Sequence, residues 1–315
     1  MSRRLLSLLL IFMLVILSAI LNPGTSMPTN FNDLTWQENI VQSGNANKIV
    51  RIYFQGAISG QSSLFAEATY GNWKSQLEQV YNDDGVKAVV IAMDSPGGEV
   101  APTTVLYDLI RSIQAQGKSV VVSMQSYAAS GGYYLSAPAD TIFALPSTLT
   151  GSLGVIFSIP NYSKLADTVG YTEKIIKSGE LKDMGSSLRE MTDEEYAIFK
   201  SLIDESYDMF VKAIADGRKM SESDVRKIAD GRIYSGIQAK NLGLIDELGT
   251  IDDATDFAIE KYAKNATVVE YQRKLTVYEQ LMQGIGLDIL PLAKWMNSGG
   301  QVFQQTPKLM YLYQP

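Results

Sequence analysis

One serine in this sequence has neighbours that suit a nucleophile. Ser130 follows Ala128 and Ala129 and precedes Gly131 and Gly132. Small residues on both sides allow the backbone to turn sharply and to approach another group closely, and the aromatic and apolar residues that follow predict the start of a buried helix. The alternative is that Ser130 only caps this helix, which is a common role of serine. The local sequence does not choose between the two roles.

The residue types that are missing limit the chemistry. The 315 residues include no histidine and no cysteine, which excludes a Ser-His-Asp triad, a thiol nucleophile, a disulfide and a cysteine-based zinc site. A nucleophilic serine must then pass its proton to a carboxylate or to a lysine with a lowered pKa. The Ser-Lys variant of the triad uses such a lysine, which burial keeps uncharged. The base to look for is therefore a buried lysine.

The candidate lysines lie in a polar stretch beyond Ser130. Residues 174–184 contain three of them, and Lys164 precedes them. A lysine beside an aspartate, such as Lys182 beside Asp183, is usually a solvated surface residue. The residues alone therefore leave Lys164, Lys177 and Lys182 open as the base.

The segments around Ser130 predict an α/β fold with a largely parallel sheet. Apolar and β-branched runs alternate with helical patterns; the strands are predicted over residues 49–54, 86–93, 119–124 and 141–145, and the helices over residues 73–81 and 103–116. Open α/β sheets place their sites at the carboxyl ends of strands, where both Ser130 and the pair Gly97 and Gly98 fall. Two glycines can turn backbone N–H groups into a cavity, as an oxyanion hole requires, or they can simply form the turn.

Two further patterns follow the predicted sheet. A loop of small residues, 148–155, contains Ser152, whose hydroxyl either bonds its own backbone or orients a neighbouring amine. Thr192 and Glu195 predict a capping box that opens a long helix. The apolar stripe of this helix has helical spacing, so we interpret it as core or subunit interface. Another helix is predicted over residues 251–264, with an edge strand over residues 267–271.

The N-terminus predicts a membrane anchor. Arg3 and Arg4 precede an apolar run from Leu5 to Leu21, which is at the lower limit for spanning a bilayer. An uncleaved anchor is favoured over a signal sequence because no clear A-x-A site follows. No lysine or arginine occurs again before Lys48. The positive-inside rule therefore places the N-terminus in the cytoplasm and the rest of the chain outside.

The remaining segments complete the predicted organisation. It comprises an anchor or signal sequence over residues 1–24, a polar linker over 25–48, a folded domain over 49–298 and an apolar C-terminal tail over 299–315. The tail is unusual because chain ends are normally polar. It either packs on its own domain or lies in an apolar substrate groove, its own or a neighbour's, and imitates a hydrophobic peptide. The net charge of −7 argues against a nucleic-acid partner, and no metal or organic cofactor is indicated.

Several spaced motifs together give a more specific indication. From about Ile49 to Gly249 the sequence resembles the signal peptide peptidase A family of bacterial membrane-anchored serine proteases. The resemblance implies a fold similar to the Clp protease and crotonase superfamily, with repeated ββα units and a Ser-Lys dyad. The motifs that carry it occur in the order of the family, within residues 94–98, 128–134, 150–155, 177–183 and 231–239.

The resemblance implies a role for individual residues. Ser130 matches the nucleophile of the family and Lys182 its general base. Gly97 matches the backbone donor of the oxyanion hole, helped by the N–H of Gly131, and Ser152 matches a serine that lies near the lysine amine. The family usually has proline where this chain has Ser187, which changes only the expected shape of a loop outside the dyad.

The implied activity is that of a membrane-anchored serine endopeptidase. Its substrates are expected to be apolar peptides, such as released signal peptides, outside the cytoplasmic membrane. Short members of the family form ring-shaped homo-oligomers in which adjacent subunits can complete each site. Two alternatives remain: a catalytically silent, protease-like membrane scaffold, and a crotonase-like acyl-CoA enzyme, which the outward topology disfavours.

Overall fold

The computed structural model describes residues 36–60, 70–273 and 310–312. The predicted anchor lies outside these residues, and so does most of the predicted C-terminal tail. Within the described ranges, no helix has both the length and the apolar character needed to cross a membrane.

Eleven strands and eight α-helices make up the described part of the chain. In chain order they are β1 (Trp36–Gln42), β2 (Asn45–Gln55), α1 (Tyr70–Asn82), β3 (Val86–Ser95), β4 (Gly97–Glu99), α2 (Val100–Ala115), β5 (Ser119–Ala129), α3 (Gly131–Ser136), β6 (Thr141–Ala144), β7 (Leu149–Gly151), α4 (Ser163–Val169), α5 (Asp193–Arg218), α6 (Glu222–Ile228), β8 (Ile233–Ser235), α7 (Gly236–Asn241), β9 (Glu247–Leu248), α8 (Ile251–Tyr262), β10 (Ala266–Arg273) and β11 (Met310–Leu312). A short 3₁₀ helix, Glu180–Asp183, lies between α4 and α5.

The predicted α/β fold with a largely parallel sheet is confirmed. The main sheet has the order β1-β10-β2-β3-β5-β6-β9. Its neighbours pair in parallel except β1, which runs antiparallel to β10. Near the site, β7 pairs in parallel with β5 and antiparallel with β8. The carboxyl ends of β3, β5 and β7 consequently lie side by side.

The central strands are buried on both faces. Val89 and Ile91 of β3 belong to one apolar cluster with residues of α1 and α2, whereas Ala88 and Val90 belong to a second cluster with residues of α8. Because side chains alternate along a strand, this division places helices on opposite faces of the sheet. The packing explains why the central strands have nearly continuous apolar sequences.

The ordered domain begins earlier than the sequence pattern predicts. Residues Trp36–Gln42 form β1, within the segment that was expected to be a linker before residue 49. Six of the seven residues of this edge strand are exposed, so its sequence is polar although its backbone pairs with β10. Trp36 anchors its start, since its indole N–H donates a hydrogen bond of 2.9 Å to Ser75 Oγ.

The segment between the sheet and α5 is largely exposed. We call residues 156–191 the arm. Helix α4 within it has no buried residue, and Ile176 and Val169 are 91% and 69% exposed. The arm ends at α5, where the capping box predicted for Thr192 and Glu195 is confirmed. An exposed apolar surface of this kind is typical of an interface.

Candidate active site

Ser130 stands in a strained turn at the end of β5. Its backbone φ and ψ angles are 54° and −116°. Residues other than glycine rarely adopt this combination of angles. The Ser130 N–H donates a 2.7 Å hydrogen bond to the carbonyl of Gly151 in β7, which fixes the turn. Residue 130 is therefore the junction of β5, β7 and helix α3.

The Ser130 hydroxyl has no structural role within the described residues. The residue is 1% exposed, and its Oγ has no hydrogen-bond partner there. It does not accept a capping bond from helix α3 either. Ser130 is thus the N-cap residue of α3 by position, but its hydroxyl makes no capping bond and is left buried beside the sheet edge. Such a group calls for a functional explanation.

Two glycines, Gly97 and Gly131, approach each other closely next to Ser130. Gly97 begins β4 with a φ of 94°, and a Cβ placed on it would lie 2.6 Å from the backbone nitrogen of Gly131. A Cβ on Gly131 would in turn lie 3.2 Å from the Cα of Gly97. The predicted convergence of the Gly97 turn with the Ser130 turn is thus present, and only glycine fits at this contact.

The direction of the N–H groups changes the part expected of Gly97. The Gly97 N–H donates to Ser95 Oγ at 3.1 Å. On the same strand, the Gly97 carbonyl accepts a bond from Ile58, and the Glu99 N–H donates to Ile58, both at 2.8 Å. Because backbone groups alternate in direction along a strand, Gly98 directs its N–H to the opposite side, toward β11. In this structure the Gly97 N–H is thus engaged with Ser95, and the N–H of Gly98 is the one on this strand that faces β11.

The C-terminal strand β11 fills a groove next to these glycines. It runs antiparallel to β4, with Tyr311 opposite Gly98. On its other edge, Met310 exchanges two backbone hydrogen bonds with Ile156, of 3.0 and 3.1 Å. The described part of the tail thus lies between the edge of β4 and the backbone of Ile156 as an added strand, which is a common mode of peptide binding.

The carbonyl oxygen of Tyr311 lies close to the point where Gly97 and Gly131 meet. A Cβ on Gly97 would lie 2.1 Å from this oxygen, and a Cβ on Gly131 would lie 3.1 Å from it. A carbonyl of a bound peptide can therefore approach the backbone beside Ser130 only because both positions are glycine.

The Tyr311 side chain occupies a closed pocket. It is fully buried, and its ring centroid lies 5.1 Å from that of Tyr134 and 4.9 Å from that of Phe210. Its hydroxyl donates a 2.8 Å hydrogen bond to the Ser206 carbonyl. Burial raises the pKa of Tyr311, so the hydroxyl stays protonated and remains a donor. The pocket has aromatic walls and a polar end. The sequence pattern assigned Phe210 only to core or interface, and nothing in it marked Ser206.

Ser152 lies beside the Ser130 turn. It follows Gly151, the residue whose carbonyl accepts the Ser130 N–H, and its own φ is 50°. The Ser152 N–H donates to the carbonyl of Arg232 at 2.7 Å. Gly151 of this loop therefore holds the Ser130 backbone, and Ser152 is the next residue along the chain.

The candidate lysines are on the arm. Lys182 is exposed on the 3₁₀ helix Glu180–Asp183, and its side chain makes no hydrogen bond or ion pair in the described part of the chain. Lys177 pairs with Asp183 at 2.6 Å, and Lys164 is exposed in α4. Since the Ser130 Oγ has no partner, no lysine of the described segments is bonded to it. Those segments also contain no group of acidic side chains arranged to hold a metal ion.

Comparison with known proteins gives a consistent result. The sequence profile described as Peptidase family S49 matches residues 112–267, and that described as Clp protease matches residues 45–150. The chain is similar to a putative signal peptide peptidase SppA of Enterococcus faecium, with 35% identity over 90% of this chain and 85% of the relative. It is 39% identical to a putative protease of Methanocaldococcus jannaschii over 76% of each chain. It is also 35% identical to Protease 4 of Salmonella typhi over 75% of this chain and 38% of that protein.

Proposed function

The chain belongs to peptidase family S49, and we propose that it is an endopeptidase in which Ser130 is the nucleophile and Lys182 the general base. The observation that carries this proposal is the Ser130 hydroxyl, which is buried and unpartnered beside two glycines at the end of a strand. A strained turn that presents a serine next to two glycines, whose backbone a peptide carbonyl can approach closely, suits acyl transfer. With no histidine in the chain, a lysine is the base that fits this chemistry.

The base comes from a neighbouring copy of the chain. Lys182 is exposed and without a partner on the arm, whose surface carries exposed apolar side chains such as Ile176. Packing of the arm against a second copy would bury this surface and desolvate Lys182, which favours its neutral form. Repetition of such a head-to-tail contact closes into a ring. In this assembly each Ser130 receives the lysine of the adjacent subunit.

The reaction then proceeds in two halves. Neutral Lys182 takes the proton of Ser130 as its Oγ attacks the peptide carbonyl carbon, and the N–H groups of Gly98 and Gly131 hold the oxyanion. The lysine gives the proton to the leaving amine, and an acyl-enzyme forms. A water molecule, deprotonated by Lys182, attacks the ester carbonyl carbon. As the bond between this carbon and Ser130 Oγ breaks, Lys182 returns the proton to Oγ and the peptide leaves as a carboxylate. The Ser152 hydroxyl accepts a hydrogen bond from the lysine and keeps its amine directed at Oγ.

The substrates are apolar peptides in extended form, such as signal peptides released after secretion. The groove between β4 and Ile156 takes an added strand, as β11 does here. The pocket formed by Tyr134 and Phe210 then receives the side chain that precedes the cleaved bond. In the resting protein the tail occupies the groove as a competitor of the substrate.

We further propose that the domain acts outside the cytoplasmic membrane. Residues 1–24 serve as a single-pass anchor with the N-terminus inside, since Arg3 and Arg4 precede the apolar run that begins at Leu5. The match of the Clp protease profile to residues 45–150 supports a Clp-like arrangement of repeated ββα units in the first half of the domain.

Mixed assemblies of two inactive variants test the function and the shared site together. Full-length chains carrying Ser130→Ala or Lys182→Ala are purified alone and after co-expression, and are assayed with a fluorogenic apolar peptide. Each variant alone should lose at least about 10³-fold in rate. The co-expressed mixture should recover about a quarter of the wild-type rate, because that fraction of interfaces joins an intact serine to an intact lysine.

Other outcomes contradict defined parts of the proposal. No recovery in the mixture would place both groups in one chain. An active Lys182→Ala together with an inactive Lys177→Ala or Lys164→Ala would mean that another lysine is the base. Equal activity of wild type and Ser130→Ala, or no hydrolysis by either, would favour a protease-like membrane scaffold.

A further inference from the structure

A cluster of four charged residues holds the segment that carries Lys182. Asp183 Oδ1 accepts a 2.6 Å hydrogen bond from Lys177 Nζ, and its Oδ2 accepts one of 3.2 Å from Arg189 Nε. Arg189 also donates to both carboxylate oxygens of Glu195, with 2.9 Å between Nη1 and Oε2. Glu195 is the third residue of α5, and its side chain is 2% exposed. The cluster thereby fastens the arm to the start of a long helix.

The two cations of the cluster also hold the backbone on either side of Lys182. Lys177 Nζ donates to the carbonyl of Glu180 at 2.6 Å. Arg189 Nη2 donates to the carbonyl of Asp183 at 3.2 Å. Glu180 and Asp183 are the first and last residues of the 3₁₀ helix. Both ends of the turn that presents Lys182 are therefore bound by cationic side chains.

The cluster also determines whether the carboxylate next to Lys182 is paired. Asp183 follows Lys182 directly, and an unpaired carboxylate at that distance favours a charged ammonium. Here Arg189 and Lys177 hold the pKa of Asp183 down to about 2, and Arg189 does the same for Glu195. These carboxylates are thus ionised but paired at neutral pH. Glu180 is the remaining acidic group of the 3₁₀ helix, and it makes no ion pair within the described residues.

We propose that Lys177 and Arg189 are positioning residues for Lys182, which fix the 3₁₀ helix and keep Asp183 paired so that Lys182 can give up its proton. The inference rests on the proposed role of Lys182 as the base. A paired Asp183 contributes little electric field at Lys182, because the positive charges of Lys177 and Arg189 offset its negative charge. Loss of either cation frees part of the carboxylate beside Lys182 and loosens the placement of the lysine.

The pH dependence of kcat and KM tests this inference in the full-length chain. Lys177→Met should shift the acidic limb of the kcat/KM profile about 1 unit to higher pH and lower kcat at pH 7 about tenfold, with KM changed less than about threefold. Lys174→Met is the matched control, because Lys174 is also an exposed lysine of the arm but has no ion pair in the described part of the chain. It should keep the wild-type profile. Arg189→Gln should resemble Lys177→Met, and Arg189→Lys should recover part of the loss.

A double variant separates the charge effect from loss of structure. Asp183→Asn removes the carboxylate, so Lys177→Met combined with Asp183→Asn should return the limb of the profile to its wild-type pH. A profile of Lys177→Met that coincides with that of Lys174→Met would overturn the inference. A shift that persists in the double variant would overturn it as well. If wild type, Ser130→Ala and Lys182→Ala do not differ in activity, the failure lies instead in the proposed dyad.

Discussion

The hydroxyl of Tyr311 donates a hydrogen bond to the carbonyl of Ser206 across 2.8 Å, at the closed end of an aromatic pocket. A residue of strand β11 is thereby tied to the long helix α5 on which Ser206 lies. The same strand places the Tyr311 carbonyl against Gly97 and Gly131. The groove beside Ser130 is therefore closed by the protein's own backbone.

Replacement of Tyr311 should open this groove. Tyr311→Ala removes the buried ring, so the tail competes less well, and we expect kcat/KM for a short apolar peptide to rise about tenfold. Tyr311→Phe should have a smaller effect, since it removes only a hydrogen bond that contributes about 1 kcal/mol. Tyr81→Ala is the control because Tyr81 is 36% exposed on α1, away from the groove and the arm. A fall in activity of Tyr311→Ala would argue that the tail completes the site rather than blocking it.

The two glycines with similar backbone angles should respond differently to alanine. Gly97 and Gly117 have φ angles of 94° and 80°, so alanine at either position strains the backbone by about 1 kcal/mol. A Cβ on Gly97 fills the position taken by the peptide carbonyl, whereas a Cβ on Gly117 meets no atom within 4 Å. We expect Gly97→Ala to lose at least about 100-fold in kcat and Gly117→Ala to keep its activity. Comparable activities in purified, folded samples would contradict the assignment of the oxyanion hole.

A charge on the arm should separate the subunits. Ile176 is 91% exposed, and a glutamate there would have to be buried, without a partner, in the proposed contact. Ile176→Glu should therefore sediment as a smaller species and lose activity, while its far-ultraviolet circular dichroism stays unchanged. Val105→Glu is the control, since Val105 is 42% exposed on α2. An active assembly of wild-type size in Ile176→Glu would exclude this face from the interface.

The ion-pair cluster should also make the folded state sensitive to acid. The pKa values of Asp183 and Glu195 fall from 3.8 and 4.5 to about 2 in the folded protein. Carboxyl groups with lowered pKa stabilise the fold above their ordinary values, and this contribution is lost as the pH falls toward 2. Urea midpoints measured between pH 6 and pH 2 should therefore drop less steeply in Arg189→Met than in wild type. Parallel curves would indicate that the cluster adds no stability.

The central part of the fold follows closely from sequence patterns. The apolar run of β3 and the capping box at Thr192 each rest on local physics, namely burial on two faces and the satisfaction of free N–H groups. The convergence of Gly97 with Ser130 was also predictable, because the carboxyl ends of neighbouring parallel strands meet at one edge. Strand β1 was not predicted, because six of its seven residues are exposed. Its sequence therefore lacks the alternation of apolar and polar residues that indicates a half-buried strand.

Other features of the site depend on contacts that no local pattern contains. Gly98 and not Gly97 directs its N–H into the groove, because Ile58 binds the other edge of β4. The pocket for Tyr311 combines Tyr134 with Phe210 of a distant helix. The position of Lys182 relative to Ser130 is set by a partner surface in the proposed assembly. The order of the motifs was enough to propose Lys182 as the base. The spacing of residues along one chain could not predict where Lys182 lies relative to Ser130.

Because Ser130 has a positive φ, the residue that would be most stable at this position differs from the residue that the proposed activity requires. Glycine adopts the angles 54° and −116° without the steric cost that a side chain incurs. A single change to glycine would therefore remove the proposed nucleophile and relax the turn at the same time. A more stable protein and an active one thus call for different residues at this position.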